Sequence, residues 1–446
     1  MGTDQGKTGN VNAIGIIADT QGRPISEVGV TTFRPPYTAV TFGIFAGRDV
    51  DDLFDATRRT PIHAWHERNG AVFEDVGQWK RPWYYPKAGE TLHDAVNREV
   101  KAVRSSLGVV DATTLGKIDI QGKDAAEFLN RMYTNAWSKL EVGKCRYGLM
   151  LGEDGMVMDD GVTARLGEHH YLMTTTTGNA AAVLGQLEEY LQTEWPELEV
   201  RLTSVTEQFA TVSLTGPNAR KLLAELTQDI ELSANALPHM GLARGTVAGI
   251  PARVFRVSFT GEMSFEINVR ASYGLALWQA VMTAGEKYNI TPYGTEAMHV
   301  LRAEKGFIIV GQETDGSVTP LDLGMDWIVS KKKDFIGKRS LTRPDMLKPD
   351  RKQLVGLLTE DPAEVLPEGA QLVETVLAKP PMVMVGHVSS SYHSPNLERS
   401  FALAMIKGGR DKTGQRVFAP LKGGKTVACT ITDPVFLDPE GERLRG

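Results

Sequence analysis

The feature that most restricts what this chain can become is a change of pattern near residue 348. Beyond it, LVGLLT, AQLVE, MVGHVSSSY, FALAMI, RVFAPL and KTVACTITD follow one another as short apolar strands with turn residues between them. Strands that short and that closely spaced bury their apolar faces only by closing on themselves, as a small barrel or sandwich. Residues 348–446 are therefore expected to form an all-β domain.

From about 92 to 347 the pattern is mixed. LHDAVNREVKAVRSSLG has apolar residues at helical spacing, LGKIDIQG alternates as a strand, and Asp124 to Ala136 carries Phe128, Leu129 and Met132 on one stripe. RYGLMLGEDGMVMDDGVTARL predicts two strands around a Glu153-Asp154-Gly155 turn. FATVSLTG predicts a strand and PNARKLLAEL a helix opened by Pro217. IPARVFRVSFTGE and MSFEINV read as a strand pair, and helices are expected at about 272–288 and 294–305, the second stopped by Gly306. Strands and helices alternate without a regular βαβ period, which argues α+β. Residues 1–91 differ from both. TTFRPPYTAVTF and EDVGQWKRPWYYP are rich in Pro and aromatics, and Pro fixes its own φ and restricts its predecessor. This is expected to be a junction segment, with 31–45 and 73–86 lying at a subunit interface or against a missing N-terminal half.

Composition excludes more than it selects. With 49 Lys+Arg against 55 Asp+Glu, the 446-residue chain has no basic excess for phosphate binding, so no nucleic-acid partner is expected. No apolar run of membrane-spanning length occurs, and MGTDQGKTGN has no apolar core of a signal peptide. Two cysteines, Cys145 and Cys429, cannot build a disulfide framework and fit a reducing, cytoplasmic setting. No G-x-G occurs, so the dinucleotide fingerprint is absent. Residues 2–8, GTDQGKT, have one residue too few before Gly-Lys for a phosphate loop. His63 and His66 in HAWHERNG do not have metalloprotease spacing, and no metal is expected.

Several motifs stand in a fixed order: DATTLGKIDIQGKDA (111–125), GMVMDDG (155–161), LTGPNA (214–219), SFTGEMSFE (258–266), VLRAEKG (300–306), KKDFIGKRSL (332–341) and VGHVSSSYHSPNLERSFALAMI (385–406). Together they resemble the glycine-cleavage T-protein (aminomethyltransferase) family over about 95–440. Within it the chain resembles the C-terminal, folate-binding half of the alpha subunits of heterotetrameric sarcosine oxidases, to which GTDQGKTGNVNA, TTFRPPYTAV and FEDVGQWKRPWYYP add their N-terminal wording. The resemblance implies a clover leaf of α+β lobes around a central folate pocket at 92–347. A β-barrel follows at 348–446, and 1–91 would be the tail of a dinucleotide-binding half.

Site residues follow partly from chemistry and partly from that resemblance. Asp159 and Asp160 are neighbours on a strand and must point to opposite faces. Alignment of the GMVMDD turn selects Asp160 as the carboxylate that orients or deprotonates an attacking folate amine. Tyr147, on the adjoining strand, matches a pocket tyrosine, and Glu266 matches the family's pterin-holding glutamate, able to accept two N–H bonds. Glu262 is expected to hold its turn. The arginine that binds the folate tail in T-proteins is replaced by Met298, and Arg302, on the same helix, is expected to contact folate or to form a structural ion pair.

The resemblance implies one-carbon transfer to tetrahydrofolate. A flavin on a partner subunit (FAD, with FMN at an interface) would oxidise sarcosine to an iminium, and this chain would pass the carbon to tetrahydrofolate, giving 5,10-methylenetetrahydrofolate and glycine. Beta, gamma and delta subunits are the implied partners, and NAD would belong only to the dinucleotide half. A free-standing folate-dependent aminomethyl- or demethyltransferase, and a non-catalytic folate-binding protein of the same fold, remain open at this point.

Overall fold

The structure, a computed structural model, describes residues 18–24 and 57–446. The chain divides into two units, 1–55 and 56–446. The described part of the first is a short helical stretch at 18–21. The segment 31–45, expected at an interface or against a missing half, lies outside the described residues.

The second unit begins with α1 (His63–Arg68) and a hairpin of β1 (Val72–Val76) and β2 (Trp79–Tyr84). α2 (Leu92–Ser105) starts at Thr91, whose hydroxyl accepts from the Asp94 N–H while Asp94 accepts from the Thr91 N–H. This reciprocal cap satisfies two donors at the start of the helix. Val96, Val100 and Val103 form its buried stripe. Next come β3 (Gly108–Asp111), β4 (Gly116–Gln121), α3 (Ala125–Met132), β5 (Cys145–Leu151), β6 (Val157–Gly167), β7 (His170–Thr175), α4 (Ala180–Thr193), β8 (Arg201–Ser204), β9 (Phe209–Thr215) and α5 (Ala219–Leu226). The body closes with β10 (Leu242–Val247), β11 (Ile250–Phe255), β12 (Ser264–Arg270), α6 (Gly274–Gly285), β13 (Thr291–Pro292) and α7 (Thr295–Glu304).

Two sheets form the body, a five-stranded one in the order β5-β6-β7-β4-β8 and a six-stranded one in the order β10-β11-β12-β9-β3-β13. Period-2 alternation gives each sheet two inner faces. Ile118, Ile120, Tyr171 and Met173 of the first pack under α3 and α4. Val212, Leu214, Phe265 and Ile267 of the second pack under α5 and α6. The opposite faces meet through Ala164, Leu172 and Phe255. The expected turn between β5 and β6 is present, with Gly155 at φ +87°, a conformation that a Cβ would strain.

Beyond residue 348, β14 (Lys352–Thr359), β15 (Gln371–Val373), β16 (Met384–Ser394), β17 (Arg399–Lys407), β18 (Arg416–Pro420) and β19 (Thr426–Thr432) close as a barrel in the order β14-β17-β16-β15-β18-β19. The α+β body and terminal barrel are thus as the sequence patterns require. The chain then returns to the body, where α8 (Glu442–Arg445) places Arg443 2.6 Å from Glu262.

The expectation for 73–86 is corrected. Trp79, Arg81 and Tyr85 are buried within this chain, and the Trp83 indole donates to Glu296 at the start of α7 at 2.8 Å. Pro and aromatic residues here make a strap that packs on its own body rather than waiting for a partner. A Cβ at Gly294 would lie 2.0 Å from the Trp83 carbonyl oxygen. Gly294→Ala should therefore lift the hairpin and cost about 1–3 kcal/mol, as overpacking does, seen as a lower Tm; an unchanged Tm would show that the contact is not needed.

His66 is fully buried. It lies 3.1 Å from Asp111 and 2.9 Å from the Tyr85 hydroxyl, so its ring is held by protein groups.

Candidate functional site

Asp160 and Tyr147 are brought together by strand register. Tyr147 on β5 lies directly opposite Val162 on β6, and Asp160 is two residues before Val162. The three share one face, and Tyr147 and Asp160 are diagonal neighbours within reach of a long side chain. The Tyr147 hydroxyl donates to Asp160 Oδ2 at 2.6 Å. Burial pushes the Asp160 carboxyl up to about 6, the tyrosine hydrogen bond pulling the other way. Burial and the nearby Asp160 charge push the Tyr147 hydroxyl well above its ordinary range, so it stays a donor. The arrangement is a carboxylate still ionised at pH 7, basic enough to take a proton, and oriented by a phenol.

Asp159 faces the other way, as alternation requires. It is buried, with Oδ1 accepting from the Thr176 hydroxyl and, at 3.3 Å, from Asn179. Its Oδ2 has no partner among the described residues, and burial raises its carboxyl to about 7.

Glu266 stands on β12 opposite Ser213 of β9, and with Asn268 it faces the other sheet. Both line a small space between the sheets, walled by Leu115, Lys117, Val162, Ala164, Leu172, Thr174, Thr211, Phe255 and Val257. Among the described residues no side chain or backbone group hydrogen-bonds the Glu266 carboxylate. Burial raises its pKa to about 7, against the pull of Lys117. Asp160 and Val162 lie on the same face of β6, and Val162 also lines the space beside Glu266.

Arg302 is not brought to this group. It is fully buried where α7 meets the barrel. One terminal nitrogen donates to Glu313 at 2.7 Å and to the Phe307 carbonyl at 2.9 Å. The other donates to Gln312 at 2.9 Å and Ser390 at 2.6 Å. Both terminal nitrogens are satisfied by the chain, so the expectation that Arg302 holds folate is corrected to a structural role at the body–barrel junction. Glu304, its nearest acidic neighbour in sequence, pairs instead with Arg104 at 2.7 Å, and Arg104 also meets Glu262 at 3.0 Å. Glu262 thus joins α2 and α8 through Arg104 and Arg443, where the expectation had it holding its own turn. Among the described residues no group of three or more His, Cys, Asp or Glu side chains stands where it could share a metal ion.

Sequence reasoning missed Lys117 and Asn268. In LGKIDIQG and SFEINV they fall on the polar side of an alternating strand, the ordinary mark of a solvated face. Burial of that face by a second sheet is what changes their meaning.

Comparison with known proteins fits this geometry. The GCVT N-terminal domain pattern matches residues 62–333, the glycine cleavage T-protein C-terminal barrel domain matches 352–438, and the sarcosine oxidase A3 domain matches 1–48. The chain belongs to the glycine cleavage T-protein family. Sarcosine oxidase subunit alpha of Corynebacterium sp. (strain U-96) is 55% identical over 99% of this chain, and that of Rhizobium meliloti (strain 1021) is 44% identical over all of it. The chain spans about half the length of these relatives, 46% and 45% respectively. An aminomethyltransferase of Thermotoga petrophila is 30% identical over 85% of this chain and 97% of its own length. The crystal structure of the glycine cleavage system aminomethyltransferase T from Bartonella henselae superposes with a TM-score of 0.74 at 25% identity, covering 86% of this chain and 98% of that one.

Proposed function

We propose that this chain is the folate module of a sarcosine-oxidase-type complex. It would transfer the one-carbon unit of an iminium to tetrahydrofolate, giving 5,10-methylenetetrahydrofolate and glycine. The observation that carries the reading is two carboxylates on the facing sides of the two sheets, Asp160 on β6 oriented by Tyr147 and Glu266 on β12 without a hydrogen-bond partner among the described residues. A half-buried carboxylate without a partner costs stability unless a ligand completes it, and the N–H edge of a pterin supplies two donors to it. A flavin carried by a partner subunit (beta, gamma and delta subunits being the expected partners) would supply the oxidation of the amine. In this chain Asp160 accepts the proton from the folate amine as that nitrogen bonds to the iminium carbon. That proton passes to the amine nitrogen, whose bond to the carbon breaks as the second folate nitrogen bonds to the same carbon and closes the ring; the proton lost by this second nitrogen also leaves on the amine, as glycine's ammonium. The long similarity to sarcosine oxidase alpha subunits favours this over a free-standing transferase. Among the described residues no helix is long and apolar enough to cross a membrane, and a cytoplasmic setting is part of the proposal.

Titration of the full chain with tetrahydrofolate should saturate, and Glu266→Ala should weaken binding by about 1.5–3 kcal/mol, the worth of hydrogen bonds to a charged group. Affinity should also fall as pH drops below about 7, where the raised Glu266 carboxyl becomes protonated and loses an acceptor. A folded Glu266→Ala chain with unchanged affinity would remove that residue from the site. Purification from the source organism should bring flavin-bearing polypeptides with the chain, and a chain that travels alone would favour the free-standing enzyme.

A further inference from the structure

Beside Glu266, two more polar groups of the inter-sheet space have unspent hydrogen bonds. Lys117 is only 1% exposed, and its ammonium donates to two acceptors, the carbonyls of Thr113 at 2.7 Å and Leu115 at 3.0 Å. An ammonium has three N–H donors, so one is without an acceptor among the described residues. Asn268 is 4% exposed and gives its amide N–H to the Thr211 hydroxyl at 3.0 Å, while its Oδ1 has no partner among the described residues. One donor and two acceptors are therefore left open around a single space whose other walls are mainly Leu115, Val162, Ala164, Leu172, Phe255 and Val257. Buried polar groups in a packing core are almost always paired. Three incomplete ones facing the same space are complementary to something with two donors and an acceptor.

We propose that Lys117 is the specificity-determining donor of this site: its free N–H meets a ring carbonyl that adjoins the N–H edge received by Glu266 and Asn268. The inference rests on the folate reading and narrows it to the ring edge. A 2-amino-4-oxo edge presents amino N–H, ring N–H and carbonyl in a row. A 2,4-diamino edge puts a second amino group where the carbonyl was, so two donors face each other at Lys117, and it leaves the ring nitrogen between without its hydrogen, so the carboxylate loses one of its donors as well. A site built to pair with one group discriminates strongly against a ring that leaves it unpaired. Burial lowers Lys117 to about 8, in spite of the nearby Asp111 and Glu266, so it is still largely charged at pH 7.

The test is equilibrium binding of two probes to the full chain, 5-formyltetrahydrofolate with the 4-oxo ring and methotrexate with the 2,4-diamino ring. The wild-type chain should prefer the first. Lys117→Met should reduce that preference at least tenfold by weakening the 4-oxo probe, with methotrexate binding unchanged or tighter. Lys117→Gln, which keeps an N–H donor, should retain most of the preference. Equal weakening of both probes by Lys117→Met, loss of preference in Lys117→Gln as large as in Lys117→Met, or a wild-type chain that binds the two rings equally would each overturn the assignment. A wild-type chain that binds neither probe overturns the folate reading as well. Binding of the 4-oxo probe with a preference that does not depend on residue 117 overturns only the role of Lys117.

Discussion

Asp160→Asn, placed in the assembled complex, is expected to lower one-carbon transfer to tetrahydrofolate by about 10²–10⁴-fold, the usual contribution of a general base. On our proposal oxidation takes place on a partner's flavin, so amine consumption and peroxide formation should continue. The carbon should then appear as free formaldehyde even at saturating tetrahydrofolate. The amide keeps the shape of the carboxyl and can still accept from the Tyr147 hydroxyl, so folding and folate binding should change little. Wild-type transfer should also fall as pH drops through about 6, where the Asp160 carboxyl takes up its proton. Asp159→Asn is the control. Its side chain lies on the other face of β6 with Thr176 and Asn179, and the product ratio should stay near normal. Normal yields of methylenetetrahydrofolate from Asp160→Asn, or equal behaviour of the two variants, would rule out Asp160 as the base.

Glu313→Ala is expected to cost about 3–5 kcal/mol of stability, because it strands a buried guanidinium. Glu313 accepts from Arg302 at 2.7 Å, from Ser389 at 2.9 Å and from Ser390 at 2.6 Å, and both ion-pair side chains are fully buried. Removing only the acid leaves the positive charge on α7 facing β16 without its counter-charge. Replacing both partners, Arg302→Met with Glu313→Leu, should recover much of the loss, since apolar groups of similar volume often substitute for a buried pair at little cost. Urea unfolding at fixed pH would measure both. A loss under 1 kcal/mol in Glu313→Ala would show that water or another group reaches Arg302. If instead Arg302 held folate, Arg302→Met would weaken folate binding without this large loss of stability.

Local pattern carried much of the architecture. The Gly155 turn, the β11–β12 pair and the barrel strands each follow from a short stretch of sequence. So does the assignment of Asp159 and Asp160 to opposite faces, because strand alternation is a property of the backbone alone. The resemblance selected Tyr147 and Glu266, and register then joined Tyr147 to Asp160. Arg302 could not be resolved in the same way. An arginine on a helix beside a glutamate reads equally as a ligand contact or an ion pair, and its partner Glu313 is eleven residues on, in a loop that the barrel covers. The strap at 73–86 was misread because Pro and aromatic residues describe an extended, sticky segment without saying whose surface it covers.

By itself the sequence determined where strands and helices run, that the last hundred residues close as a β domain, and that two adjacent aspartates face opposite ways. These depend on contacts within a few residues and on period-2 or period-3.6 spacing. Only the tertiary structure decided that the polar face of β12 and β9 is an interior. Thr211, Ser213, Ser264 and Asn268 alternate with apolar residues as a solvated strand would, yet all four are buried, because a second sheet rather than water lies against them. The same event turned Lys117 from a surface lysine into a buried ammonium with a donor to spare. Which face meets water is set by packing between elements distant in sequence, and strand alternation carries no record of it.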